Sequence, residues 1–423
     1  MDIWTIDSLQ RCLNNSENYT DTQKMKLIEF LNQNFKPSVY NEHLQKRRAA
    51  LRNMTNSKSA LQNAAQHYPQ TVNWKDINPS TDSLKGFALV FTAGGEGERL
   101  RLSLLKKGIP ASMLEDFTKA TFPLPDFFDN FGALQTNLAM VASFCNTIRM
   151  DIPVIVTTGP QGTITAGVIP EILRKNNNFG LKHVLVIAQD ERLHLTIDEK
   201  IACTEISGEL RPLTQPDETG GPLMKLKQIP DTSGISALDW VEELGCNKLI
   251  VVQATALYDL RLLPIMAQAL GNHDCLGVGI LRTEFPPKDP FGTFVTITRG
   301  DKPETLILEQ DVRNDETRTI KDQSGQFYLP FNTGFYAFGT ELLKNNNLPD
   351  FATPPKEILP ELPRSPKIGY AATDLLPLAS NPVILTIEQD MFAVLKTAED
   401  LEQLSILGKK FGLDKICRTM EKR

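Results

Sequence analysis

The sequence predicts an α/β chain built on a mostly parallel sheet, and three observations predict it. From Leu84 onward short apolar runs alternate with helical stretches, a pattern that places helices on both faces of a sheet. The first run, Phe87 to Phe91, is five apolar residues bounded by Gly86, as a strand buried on both faces requires. A glycine-dense turn, Ala93-Gly94-Gly95-Glu96-Gly97, leads from it directly into a Leu-Arg-Leu helical pattern.

Taken in order, residues 1 to 83 read as a separate helical region. Thr20 or Asp21 can cap a run containing Met25, Leu27, Ile28, Phe30 and Leu31, and Lys46-Arg47-Arg48 opens another amphipathic segment with a solvated basic face. The polar tract from Asn73 to Asp82, with Pro79, reads as a linker. Strands are then expected at Phe87 to Thr92, Val154 to Thr158, Val184 to Ala188, Leu249 to Gln253, Leu276 to Leu281 and Phe294 to Thr298. Helices are expected at Leu134 to Ile148, Ala166 to Lys175 and Ile235 to Leu244. Ligands of such sheets sit beyond the carboxyl ends of the strands, so the residues closing each strand are the first candidates for a site.

Composition narrows the function. At 423 residues the chain is long enough for two or three units, and 41% hydrophobic with 23% charged residues is a globular balance. No apolar run reaches the roughly 18 residues that span a bilayer, and the start Met1-Asp2-Ile3-Trp4 lacks the basic, apolar character of a leader, so a cytoplasmic protein without a membrane partner is expected. The net charge of −6 provides no basic field for nucleic acid; an anionic ligand needs a local cluster of cations. Cys12, Cys145, Cys203, Cys246, Cys275 and Cys417 form no Cys-x-x-Cys pair and are expected as reduced, buried thiols.

Strand, glycine loop and helix is phosphate-binding geometry, because glycines let backbone N–H groups approach a phosphate and the helix N-terminus adds about half a positive charge. The same turn also needs glycine for steric reasons alone. Gly-x-x-x-x-Gly-Lys-Ser/Thr is absent, and Leu100 stands where the third glycine of Gly-x-Gly-x-x-Gly belongs, which disfavours Walker and dinucleotide-binding loops. The segment Ala93 to Leu100 resembles instead the Leu-x-x-Gly-Gly-x-Gly-Thr-Arg-Leu signature of sugar-nucleotide pyrophosphorylases. That resemblance implies that Gly94, Gly95, Gly97 and Arg99 wrap a nucleotide triphosphate and that Lys119, in Thr118-Lys119-Ala120-Thr121-Phe122-Pro123, neutralises it.

Further segments resemble the eukaryotic-type UDP-N-acetylglucosamine and UDP-glucose pyrophosphorylases in the same order along the chain, over residues 84 to 405. Ile187-Ala188-Gln189 followed by Gln215-Pro216-Asp217-Glu218-Thr219-Gly220-Gly221 resembles their strand-final glutamine and Pro-Asp-Gly-Asn-Gly-Gly, implying that Gln189 and the backbone at Asp217, Gly220 and Gly221 read the uracil edge. An amide, one donor and one acceptor, complements that edge. Asp289-Pro290-Phe291-Gly292, Ile307-Leu308-Glu309-Gln310 and Phe331-Asn332-Thr333-Gly334 resemble Glu-Pro-Val-Gly, Val-Val-Glu-Tyr and Phe-Asn-Ala-Gly, implying that Gly292, Glu309 and Asn332 hold the sugar. Met391 to Leu401 resembles Phe-x-Pro-Val-Lys-Thr-x-x-Asp-Leu, which implies that Lys396 contacts phosphate.

The resemblance implies a Rossmann-like nucleotidyltransferase domain with a mostly parallel mixed sheet, over residues 84 to 350, a helical N-terminal region at 1 to 83, and a small C-terminal region at 351 to 423 that completes the phosphate site. The implied activity is a uridylyltransferase making a UDP-sugar and pyrophosphate from UTP and N-acetylglucosamine or glucose 1-phosphate; a UDP-sugar-binding sensor or assembly subunit is the alternative. The sequence departs from the pattern in three places. Glu98 replaces a small hydroxyl residue, Phe335 replaces an asparagine of some relatives, and Ala254 is expected to face the pocket where relatives carry the aspartate that helps hold Mg²⁺. Mg²⁺ or Mn²⁺ is the implied cofactor, with Asp374 the remaining candidate ligand.

Overall fold

The computed structural model describes residues 3–420 apart from 96, 115–117, 126–130, 207, 230–233, 287–290, 300–301 and 358–361. The chain forms two compact units, neither contiguous in sequence: Met1–Ala60 with Asp190–Gly221 and Leu348–Ala371, and Leu61–Gln189 with Pro222–Asn347 and Ala372–Arg423.

The larger unit is organised by a sheet of eleven strands among the described residues. Its path runs Thr71–Asn73, Pro382–Ile387, Cys275–Arg282, Tyr328–Gly339, Lys248–Gln253, Phe87–Thr92, Val154–Thr158, Val184–Ala188. Every pairing along this path is parallel except the two made by Tyr328–Gly339. Phe87 to Phe91 are all buried. Burial of a large aliphatic or aromatic side chain contributes about 1.5–3 kcal/mol, so a run of this composition belongs at the centre of a covered sheet. Registers align the carboxyl ends: Gln253 pairs with Thr92, Thr92 with Thr157, and Thr158 with Ala188. The loops after these strands consequently leave the sheet side by side, and that edge carries the candidate site.

The expected strands and helices are all present, with ends shifted by a residue or two, as in Lys248–Gln253, Cys275–Arg282, Thr293–Arg299, Ala133–Ile148 and Ile164–Lys175. Sequence reasoning missed the twelve-residue strand Tyr328–Gly339. Pro330 and Asn332-Thr333-Gly334 punctuate it as a turn would, and Gly334 indeed takes φ 76°. It also missed the strands Ala65–His67 and Thr71–Asn73, which lie where a helical region and linker were expected; they pair with Thr293–Arg299 and Pro382–Ile387. Pairing to a distant strand leaves no local periodicity in such short segments.

The smaller unit contains the helices Ile6–Cys12 and Asp21–Asn34, the greater part of Pro37–Asn63, and short antiparallel strand pairs. Thr20 is the cap of the second helix, its hydroxyl accepting from Gln23 N in a capping box. Leu9, Leu27 and Leu31 pack with Leu193, Ile201 and Leu210 in its core, and Trp4 Nε1 donates to Phe35 O at 2.6 Å. All six cysteines are buried and free, as expected. Among the described residues no helix is long and apolar enough to cross a membrane.

Candidate functional site

In the larger unit the chain leaves Thr92 through Ala93 to Gly94, whose backbone lies beneath Gln189: a Cβ on Gly94 would sit 2.1 Å from Gln189 Nε2. Gly95 is exposed, with nothing near the position of a Cβ. Glu96 lies outside the described residues. Gly97, at φ 81° and ψ 33°, is the N-cap of the helix Glu98–Lys106, and a Cβ there would meet Lys119 at 2.8 Å. Two of the three glycines are thus required by close approach to residues that the sequence also singles out. Replacing Gly94 with alanine is expected to push the Gln189 amide aside and weaken nucleotide binding by about fivefold, the worth of one hydrogen bond, with little change in melting temperature. Calorimetric titration with UTP is the measurement.

Gln189 closes the strand Val184–Ala188 and is 8% exposed. Its Oε1 is buried with no hydrogen-bond partner among the described residues. A buried acceptor left open in this way costs about 1–3 kcal/mol until a donor arrives.

The structure brings together Arg99, Lys119 and Lys396 from three separate segments. Burial, then Lys396 and Arg99, lower the Lys119 ammonium from its usual 10.5 to about 8, while Asp400 acts in the opposite sense. Arg99 is exposed in the first turn of its helix, next to the exposed Glu98. Lys396 is fixed through its backbone: Asp400 Oδ2 accepts from Lys396 N at 2.8 Å and Thr397 N at 2.7 Å. Its Nζ stands 3.6 Å from the centroid of the Phe291 ring. Like charges gathered around the half-buried Lys119 ammonium are an arrangement that a bound polyanion would relieve.

Phe291 stacks on Phe331 at 4.8 Å and 27°, and each adjoins a residue expected to hold the sugar. Asn332 N donates to Gly292 O at 2.8 Å, and a Cβ on Gly292 would lie 3.0 Å from Glu309 Oε1. Gly292, Glu309 and Asn332 therefore form one group. The Asn332 side chain is largely engaged there, accepting from Gly334 N at 2.8 Å and donating to Tyr336 Oη at 3.1 Å. Asp289 and Pro290 of the same motif lie outside the described residues.

Two expectations change. Ala254 does not face the site: it is fully buried in the apolar core, its N–H donating to Thr92 O. The residue at that strand end is the half-buried Gln253, whose Nε2 donates to Thr333 O at 3.1 Å. Phe335 is likewise a core residue, packed edge-on against Tyr258 and Phe392, and offers nothing to a sugar. Asp217 uses its carboxylate on Arg192, both buried. Asp217, Gly220 and Gly221 belong to the smaller unit, where the turn is locked onto the strand Ile368–Tyr370: Gly220 N donates to Tyr370 O and Tyr370 N to Asp217 O. A Cβ on Gly220 would meet Tyr370 at 2.8 Å, so packing alone demands this glycine.

The donor set fits a divalent ion poorly. Asp374 is raised to about 7 by burial and then Glu304, and with Glu309 it contributes to raising Tyr336, whose hydroxyl accepts from Asn332. Among the described residues no three acid, histidine or cysteine side chains gather as metal ligands. Sequence reasoning also missed Arg101, whose Nε and Nη2 are buried without a partner among the described residues, and Asp400, the brace of Lys396. Their signals were the arginine of the Leu-Arg-Leu pattern and the aspartate of the Lys-Thr-x-x-Asp-Leu motif, four positions after Lys396.

Sheet order and the glycine loop after the strand Phe87–Thr92 define an α/β fold with a mostly parallel sheet. More narrowly, the fold is that of the UDP-sugar pyrophosphorylases. The chain is similar to the UDP-N-acetylglucosamine pyrophosphorylase of Trypanosoma brucei solved with an inhibitor, with a TM-score of 0.65 and 13% identity over 94% of this chain and 81% of that one. It is also similar to an Entamoeba histolytica protein described as a UDP-N-acetylglucosamine pyrophosphorylase, at 0.61 and 18% identity over 81% and 88% of the two chains. The L281D mutant of Leishmania major UDP-glucose pyrophosphorylase, solved with UDP-glucose, gives 0.55 and 14% identity over 80% and 70%. No family model matches the chain, and no curated protein matches its sequence.

Proposed function

We propose that the protein is a uridylyltransferase that forms a UDP-sugar and pyrophosphate from UTP and a sugar 1-phosphate, with N-acetylglucosamine or glucose as the sugar. The observation that carries this reading is the open Gln189 Oε1 beside Gly94, on the sheet edge from which the loop leading to Arg99 and Lys119 departs. The imide N–H of uracil supplies the missing donor. In the reaction a sugar-phosphate oxygen attacks the α-phosphorus in line, forming the new P–O bond as the bond to the β-phosphate oxygen breaks and pyrophosphate leaves with that electron pair. Arg99 and Lys119 neutralise the departing charge, Lys396 holds the incoming phosphate, and Gly292, Glu309 and Asn332 hold the sugar. In such transfers positioning and charge neutralisation supply most of the rate. Because the donor set fits a divalent ion poorly, no step is assigned to one.

A binding protein that keeps the pocket without turnover is the second reading. Glu98 beside the triphosphate position and Gln253 at a strand end favour it.

UTP and UDP-sugars are expected to raise the melting temperature while ATP and GTP leave it unchanged. Ligand at about a hundred times its Kd stabilises by about 2.7 kcal/mol, and a purine differs from uracil in ring size and in the donor and acceptor pattern it presents to the Gln189 amide. Equal shifts for all four refute the base assignment. Pyrophosphate release across a panel of sugar phosphates separates enzyme from sensor.

A further inference from the structure

We infer that nucleotide binding in this protein is independent of a divalent cation, because the strand end beside the glycine loop presents the neutral side-chain amide of Gln253 and no carboxylate. The inference rests on the uridine-nucleotide reading above.

Three observations place Gln253 there. The strand Lys248–Gln253 ends in register with Thr92, two residues before Gly94, so Gln253 stands at the same sheet edge as the glycine loop. Its side chain reaches the Asn332-Thr333-Gly334 turn, donating from Nε2 to Thr333 O at 3.1 Å. It lies so close over Gly334 that a Cβ there would be 2.0 Å from Nε2. The amide therefore stands between the loop that approaches phosphate and the residues grouped around Asn332. Nε2 carries two protons, and the second remains for an anionic oxygen.

The chemistry differs from that of a carboxylate in sign. A carboxylate at this point repels phosphate unless a hard cation lies between them, and Mg²⁺ prefers such charged oxygen ligands. A neutral amide repels nothing and donates directly. Positive charge is supplied by the chain itself, through Arg99, Lys119 and Lys396. Nor can the neighbouring position restore a metal ligand, because Ala254 points into the core.

The full chain titrated calorimetrically with UTP, once in excess EDTA and once in excess Mg²⁺, tests this. The Kd is expected to agree within about threefold. Tightening by Mg²⁺ beyond that range overturns the inference while leaving the uridine reading intact. Absence of UTP binding in both conditions defeats the reading, and the inference with it. Gln253→Asp is expected to weaken binding about tenfold in EDTA and to regain it in Mg²⁺. A Gln253→Asp protein indifferent to Mg²⁺ removes Gln253 from the role. Should that variant fail to fold, the wild-type comparison still decides.

Discussion

Replacing Lys119 with alanine is expected to reduce nucleotide affinity about tenfold to a hundredfold, because a charge-assisted hydrogen bond to phosphate is worth about 1.5–3 kcal/mol. Fold stability is expected to hold or rise. Lys119 is the cation in which burial and two like charges meet, and this lowers its ammonium to about 8. Between pH 8 and the ordinary value of 10.5 the unfolded chain binds a proton that the folded chain does not, so the ligand-free protein gains stability from this group as pH rises through that window. Below pH 8 both states hold the proton, and the folded state carries the full cost of the buried charge. Affinity runs the other way: UTP binding weakens as pH is raised from 7 to 9 and the ammonium is lost. In Lys119→Ala both dependences flatten. Titration calorimetry and urea unfolding at the two pH values measure them, and unchanged affinity in the mutant defeats the cation cluster as the phosphate site.

Breaking the Arg192–Asp217 pair is expected to have the largest effect on stability. Arg192 is 3% exposed and Asp217 6%; Arg192 also lies 4.9 Å from the centroid of Tyr370, and its Nη1 has no hydrogen-bond partner among the described residues. Asp217→Ala leaves that guanidinium buried without its counter-charge, at a cost of about 3–5 kcal/mol. The exposed pair Lys26–Glu209, at 3.2 Å, is the comparison: its loss costs less than about 1 kcal/mol. Replacing both partners together, as Arg192→Met with Asp217→Leu, is expected to recover most of the loss, since two apolar side chains leave no charge to desolvate. Urea midpoints of the variants read this directly. A mild effect of Asp217→Ala would show that the carboxylate is not committed to Arg192.

What the sequence determined by itself were those features whose signals are local. Five consecutive apolar residues, Phe87 to Phe91, and the glycines from Gly94 specify a buried strand and its turn, because period and burial act within a few residues. Arg99, Lys119 and Lys396 could be singled out from motif order, and Gln189 from its place at the end of an apolar run. Only the tertiary structure decided which neighbour of a strand end looks outward. Ala254 and Gln253 are adjacent, and one residue of offset exchanges core for edge. It likewise decided that Asp217 is spent on Arg192, that Phe335 fills the core, and that Tyr328–Gly339 runs antiparallel through a parallel sheet. Each of these depends on partners 25 or more positions away in the chain, and a contact of that span leaves no period, spacing or composition in the residues that make it.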